Sequence, residues 1–286
     1  MRLNLIAAAA LLAAAPAFSA VAPGTTGNGE LVLVIADSTA KVSFALDTGW
    51  RINDFVTDVP AAPVFVGNVA GFARSAADSS ADASWASFLT TTSGHVLTWA
   101  VFANDSTGAN ALVNGLRLLA TVRDTQTGLT GSLTNAAFTN GIAATQMGTF
   151  FNALNGTATQ IVGGATNYAY NGTSVNADPN AGYFGHAGGT SSTINGNSPF
   201  NITNTVVFGG TSTAPFYAFT RSGSNQLGTV INTPFAAPMT LKVAADGSNF
   251  VLGYSVPVPE AETFALMAAG LAAIGFVARR RKVVGA

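Results

Sequence analysis

Residues able to do chemistry are sparse in this chain, and their spacing decides which reactions are worth considering. There are two histidines, His95 and His186, and no cysteine, so thiol catalysis, iron–sulfur clusters and cysteine zinc sites are excluded. Neither histidine has a ligand-type residue three or four places away, the separation that sets two ligands on one helical face. His95 precedes an apolar run and reads as a capping or surface residue. His186 sits in Gly185-His-Ala-Gly-Gly189, where glycines are equally what a loop needs. Asn176-Ala-Asp178-Pro-Asn180-Ala-Gly182 alternates oxygen side chains as a calcium loop does, but its glycine comes one place late and no glutamate closes it. No metal ligand is therefore assigned. Asp54 with Asp58, or Asp78 with Asp82, could serve glycoside hydrolysis only if a cleft held each pair about 5 to 10 Å apart; strand flanks and helix caps explain them more simply. Gly210-Thr-Ser212-Thr-Ala214 lacks the second glycine of a nucleophile elbow, and no phosphate-cradling loop is present. The chain reads as non-enzymatic and without cofactor; a secreted hydrolase is the less favoured reading.

One stretch offers binding chemistry instead. Residues 155–204 are rich in Gly, Asn, Thr and Ser and hold few large apolar side chains, so only short strands are expected there, around Tyr168 and Tyr183-Phe184. Tyr168, Tyr170, Tyr183 and Phe184 are either exposed platforms on which sugar rings stack or members of the core. Four Asn-x-Ser/Thr sequons, at Asn104, Asn155, Asn171 and Asn201, are what composition alone predicts and carry no inference about glycosylation.

The elements that would position these residues are mostly strands. Glu30-Leu-Val-Leu-Val-Ile-Ala-Asp37 is a continuous β-branched run between turn formers, the pattern of a strand buried on both faces. Lys41 to Asp47 alternates, placing Val42, Phe44 and Leu46 on one face, and the intervening Asp-Ser-Thr-Ala predicts a hairpin. Asp47-Thr-Gly49 is read as a turn, followed by strands near 50–56 and 64–72. Ser79-Ser-Ala-Asp82 signals a helix start, with Trp85, Phe88 and Leu89 at i, i+3 and i+4. Strands are predicted at 96–102 and 116–122, and a second helix over 134–154 from Phe138, Ile142, Met147, Phe150, Phe151 and Leu154. Gly141 and Gly148 each weaken it by about 1 kcal/mol. Four further strands are predicted at 205–208, 215–221, 239–244 and 250–256. The sum is a mainly β protein: an antiparallel β-sandwich of roughly ten strands with two short helices packed at an edge.

Charge argues against a nucleic-acid partner. Between residues 21 and 258 seven basic side chains face eleven acidic ones, a net −4, while the whole chain carries −1. No basic face for nucleic acid results. With only 9% charged residues, solubility rests on Asn, Thr, Ser and Gly, a composition of extracellular β-rich or matrix proteins.

Both termini carry sorting signals. Arg2, the apolar stretch Leu5 to Ala15 and the small residues after it have the layout of a secretory signal peptide, residues 1–20, with cleavage after Ala17, Ser19 or Ala20. Residues 258–286 hold three parts in order: Val258-Pro259-Glu260-Ala261, an uncharged segment at 263–278, and Arg279-Arg280-Arg281-Lys282. As a helix, Phe264 to Ala278 rises about 22 Å against a hydrocarbon core of about 30 Å. It is a short transmembrane anchor that leans on snorkelling arginines or a thinned bilayer. The cationic cluster keeps its own side cytoplasmic, leaving residues 21–257 outside.

This tail resembles the PEP-CTERM sorting signal of Gram-negative bacteria, through Pro259, Glu260, the apolar span and Arg279, Arg280 and Arg281. Ala261 stands where that signal has its second proline. The resemblance implies an exosortase, a membrane-embedded transpeptidase-like enzyme, as partner: it would remove the tail and pass the protein from an inner-membrane-anchored precursor to the cell surface or beyond. An ordinary anchor that is never cut is the alternative. Residues 21–257 then read as an exported β-rich domain of the cell surface, extracellular matrix or biofilm, associated with polysaccharide, or alternatively as a discrete carbohydrate-binding module.

Overall fold

The computed structural model describes residues 21, 27–57, 64–65, 71–75, 82–105, 116–123, 134–138, 146–155, 173–185, 202–221, 225–235, 237–255 and 271. The chain divides into two compact units, Met1–Ser255 and Val256–Ala286. Only Leu271 of the second is described, helical and exposed. Among the described residues no helix is long and apolar enough to cross a membrane. The predicted signal peptide, and the predicted span apart from Leu271, lie outside them.

The first unit is built from antiparallel strands with few helices. Its larger sheet runs β12 (Ile231–Pro234), β11 (Phe216–Thr220), β7 (Arg117–Thr121), β6 (Leu97–Asp105), β1 (Glu30–Asp37), β2 (Val42–Arg51), β8 (Thr173–Ala177), and β9 (Asn204–Val206) pairs with the start of β6. A second sheet runs β10 (Thr211–Ala214), β13 (Met239–Val243), β14 (Phe250–Ser255), β5 (Gly71–Ser75), and β3 (Val56–Thr57) pairs with β4 (Val64–Phe65). Every residue of β1 is buried, as its unbroken apolar run predicts: it lies between β2 and β6, with Val34 opposite both Ala45 and Ala100, and has a covered face on each side.

The two faces are covered differently. On one, Val32, Val34, Phe102, Leu118 and Ala120 pack with Met147, Phe150, Phe151 and Leu154 of a helix at Gln146–Asn155. Phe102 lies 5.7 Å from Phe150 and 5.9 Å from Phe151. Asn155 at the end of that helix accepts from Val21 N and donates to Val21 O, at 2.8 and 2.9 Å, holding Val21 against it. On the other face, rings of the larger sheet meet rings of the smaller: Phe44 and Phe250 at 5.5 Å, Phe216 and Tyr254 at 6.1 Å. Trp99 Nε1 donates across to Ser212 Oγ at 2.9 Å. In chain order the helices are α1 (Ile52–Phe55), α2 (Asp82–Thr92), α3 (Asn135–Phe138) and α4 (Gln146–Asn155).

Several expectations are corrected. The helices are not both at an edge, since α4 covers a sheet face with four buried apolar side chains at helical spacing. Asp47-Thr-Gly49 does not turn the chain: β2 continues to Arg51 through a register shift opposite Glu30–Val32, and Gly49 takes φ +73°. A glycine in that conformation inside an antiparallel pair bends a strand without ending it. Asp47 Oδ1 accepts from Gly49 N at 2.8 Å and Thr48 Oγ1 donates to Leu31 O at 2.7 Å, replacing the ladder bonds the bulge removes. The strand predicted near 50–56 is the end of β2, then α1, then β3. The predicted second helix holds α3 and α4 as separate helices, with 139–145 outside the described residues. β8, β10 and β12 are additional strands.

Candidate functional site

The described residues place one polar cavity at the end of the larger sheet where β1 hands over to β2. Asp37, fully buried, builds this end. Its Oδ1 accepts from Thr39 N and Ala40 N at 2.7 and 3.0 Å, a side-chain turn that short polar residues favour, and Oδ2 meets His95 Nδ1. His95 is thus the partner of a buried carboxylate. Lys41 closes the hairpin at φ +53°, a left-handed conformation that costs a residue with a Cβ roughly 1 to 2 kcal/mol. Its carbonyl accepts from Asp178 N at 3.0 Å, and its Nζ stands 3.7 Å from Asp178 Oδ2, with the two side chains 67% and 34% exposed.

Two successive turns then bring the chain back over the hairpin. Asn180 N donates to Ala177 O and Tyr183 N to Asn180 O, each at 2.9 Å, and Gly182 N donates to Asn180 Oδ1 at 2.7 Å. Ser43 Oγ accepts from Phe184 N at 3.0 Å. Tyr183 Oη donates weakly to Asp37 O at 3.5 Å. Burial, followed by the negative charges of Asp178 and Asp37, pushes the Tyr183 phenol above its ordinary range. Gly185 has to be small here, because a Cβ on it would come within 2.3 Å of Tyr183 Oη. The result is a cavity of about 300 Å³ lined by Ala36, Ser38, Lys41, Thr98, Asp178, Tyr183 and Gly185. Its lining offers an ammonium, a carboxylate, three hydroxyls and one aromatic ring, drawn from β1, the β1–β2 turn, β6 and the 178–185 turns.

These positions revise the predicted binding residues. Tyr183 and Phe184 are 5% and 0% exposed. Phe184 stacks on Phe102 with ring centres 5.7 Å apart, and neither ring presents a face to solvent, so the exposed-platform reading is withdrawn for both. The core reading, open in the sequence, is what the sheet imposes: Ser43 fixes the backbone of 184 and the ring falls onto the α4 side. Tyr168, Tyr170 and His186 lie outside the described residues, as do Pro259, Glu260, Arg279, Arg280 and Arg281. The calcium-like segment is occupied with its own turns: Asn176 Nδ2 donates to Ser174 Oγ at 3.2 Å, Asn180 caps Gly182, and Asp178 faces Lys41. Among the described residues no group of three or more His, Asp or Glu is placed to hold a metal ion. Of the carboxylate pairs, Asp58 and Asp78 are outside the described residues, and Asp54 Oδ2 accepts from Arg51 N at 2.7 Å. Sequence reasoning missed Lys41, Ser38 and Thr98. The only trace it held was a lysine at a hairpin position where glycine or asparagine would be cheaper.

No curated protein and no solved structure matches the chain. Residues 257–282 match the family model of the PEP-CTERM protein-sorting motif. That motif suggests an exported protein and implies processing by an exosortase, a membrane enzyme. The tail of this chain, from Pro257 to Lys282, is a PEP-CTERM sorting signal.

Proposed function

We propose that the protein is a non-enzymatic component of the cell surface or extracellular matrix, whose sandwich-like body, residues 21–257, associates with exopolysaccharide in a biofilm. In this reading residues 1–20 direct export, residues 263–278 hold a precursor in the inner membrane, and an exosortase-type enzyme removes the tail. The sorting motif at residues 257–282 carries the proposal, supported by a body poor in charge and rich in Asn, Thr, Ser and Gly. Mass analysis of protein extracted from the surface of an exosortase-bearing host tests it. Most copies are expected to end near residue 258; most copies still ending at Ala286 overturn the processing step.

A carbohydrate-binding module is the second reading, favoured by one observation: a cavity with mixed hydrogen-bonding groups at a sheet end. It keeps Tyr168 and Tyr170 as stacking candidates. Ring recognition by Phe184 is no part of it.

A further inference from the structure

We infer that the cavity between the β1–β2 hairpin and the 178–185 turns is a subsite for a single neutral sugar residue, held through two neighbouring hydroxyls by Lys41 and Asp178. The inference rests on the polysaccharide association proposed above and gives that reading an address.

Four observations converge on it. The first is charge. Lys41 Nζ and Asp178 Oδ2 face each other at 3.7 Å, longer than the 2.7 to 2.9 Å or so of a tight ammonium–carboxylate hydrogen bond, and both remain accessible. A hydroxyl both donates and accepts, so one member of a vicinal diol can donate to the carboxylate while its neighbour accepts from the ammonium. An anion would satisfy Lys41 and repel Asp178; a cation would do the reverse. The second is size: about 300 Å³ is the low end of small-molecule sites, enough for one ring and not for a longer oligosaccharide. The third is lining. Ser38, Thr98 and Tyr183 supply hydroxyls to the remaining polar edge, and the Ala36 methyl and Tyr183 ring edge supply apolar surface for ring C–H groups. The fourth is strain. Lys41 holds a left-handed conformation that glycine would adopt without cost, and such outliers gather at ligand clamps.

Pre-organisation arises from the same contacts. The turn that carries Asp178 is bonded to the Lys41 carbonyl, so the two groups that would bridge the diol are positioned by one backbone hydrogen bond. Binding then needs no backbone rearrangement, which spares the loop-ordering part of the cost of association.

Saturation-transfer NMR on the full chain in detergent, with free glucose, galactose and mannose as probes, tests the subsite. Transfer to ring protons of at least one hexose is expected. It should weaken by roughly tenfold or more, or about 1.4 kcal/mol, in Lys41→Met and in Asp178→Asn, and persist in Lys242→Met on β13. Both tested side chains are solvent-accessible, and unchanged near-ultraviolet circular dichroism checks that each variant folds; Thr98→Val, a third lining change, should weaken transfer as well. Transfer undiminished in all three lining variants, or absent from every hexose, overturns the subsite. A parallel pull-down on the host's own polysaccharide separates the two readings. Polysaccharide held equally by wild type and variants sinks the subsite and leaves the association standing, whereas no retention of wild type sinks both.

Discussion

Arg117 is a single residue whose loss the fold should feel sharply. Its guanidinium donates from Nε and Nη2 to Asp105 Oδ2 at 3.0 and 2.8 Å, from Nη1 to Asn53 Oδ1 at 2.9 Å and from Nη2 to Gly27 O at 2.8 Å. It thereby ties α1 and the chain entry to the β6–β7 pair. Both members of the ion pair are buried, and removing one leaves the other's charge stranded, at a cost of about 3 to 5 kcal/mol. Arg117→Met is expected within that range, read as a fall in the urea midpoint at unchanged slope; a midpoint unchanged from wild type would show that solvent already reaches the pair. None of this was visible in the sequence. Arg117 and Asp105 are twelve residues apart, and only the β6–β7 register, which sets Asp105 opposite Arg117, makes them neighbours. The same holds for the cavity: Lys41 and Asp178 are joined by the β2–β8 pairing of Val42 with Ala177, information that local pattern does not contain.

At the scale of elements, legibility tracks burial. Strands buried on both faces show as apolar runs: β1 is readable to the residue, while β6 starts one residue late and runs three residues past its predicted end at 102. α2 was readable because its serine–aspartate start and its Trp85–Phe88 spacing agree with each other. Where one polar motif serves two geometries the sequence misled: Asp-x-Gly marks turns, yet at Asp47–Gly49 it marks a bulge, because β2 still has β1 on one side to pair with. Short strands such as β10, Thr211-Ser-Thr-Ala214, show no apolar signal at all, since they are held by backbone pairing to β13. α4 is the element whose role spacing revealed and whose place it did not. Phe150 is buried against Phe102, Phe151 and Phe184, and Phe150→Ala should cost about 3 to 5 kcal/mol through lost transfer energy and the cavity left behind. Asn152→Ala, on the exposed side of the same helix, should change stability by no more than about 0.5 kcal/mol. Equal effects of the two, measured by denaturant unfolding, would mean that α4 does not cover the sheet.

For the molecule as a whole, charge is distributed so that processing changes it in a measurable direction. The predicted signal peptide contributes Arg2, and the tail from 259 onward contributes four cations, Arg279 to Lys282, against Glu260 and Glu262. The segments predicted to be removed are therefore net positive, and the body between them carries −4 where the full chain carries −1. On the processing proposed above, a precursor near neutrality would be prone to associate and would set its basic end against anionic lipid, whereas the released body would be acidic and repel its own kind, which favours solubility. The expected outcome is that the surface-extracted form is retained more strongly on an anion exchanger at neutral pH than the membrane-extracted form, and that the difference shrinks as salt screens both. Substituting Pro259→Ala with Glu260→Ala should abolish the acidic species and leave the neutral one in the membrane fraction. An acidic form produced undiminished from that variant would mean that a protease indifferent to the Pro-Glu cue, and not a sorting enzyme that reads it, cuts this tail.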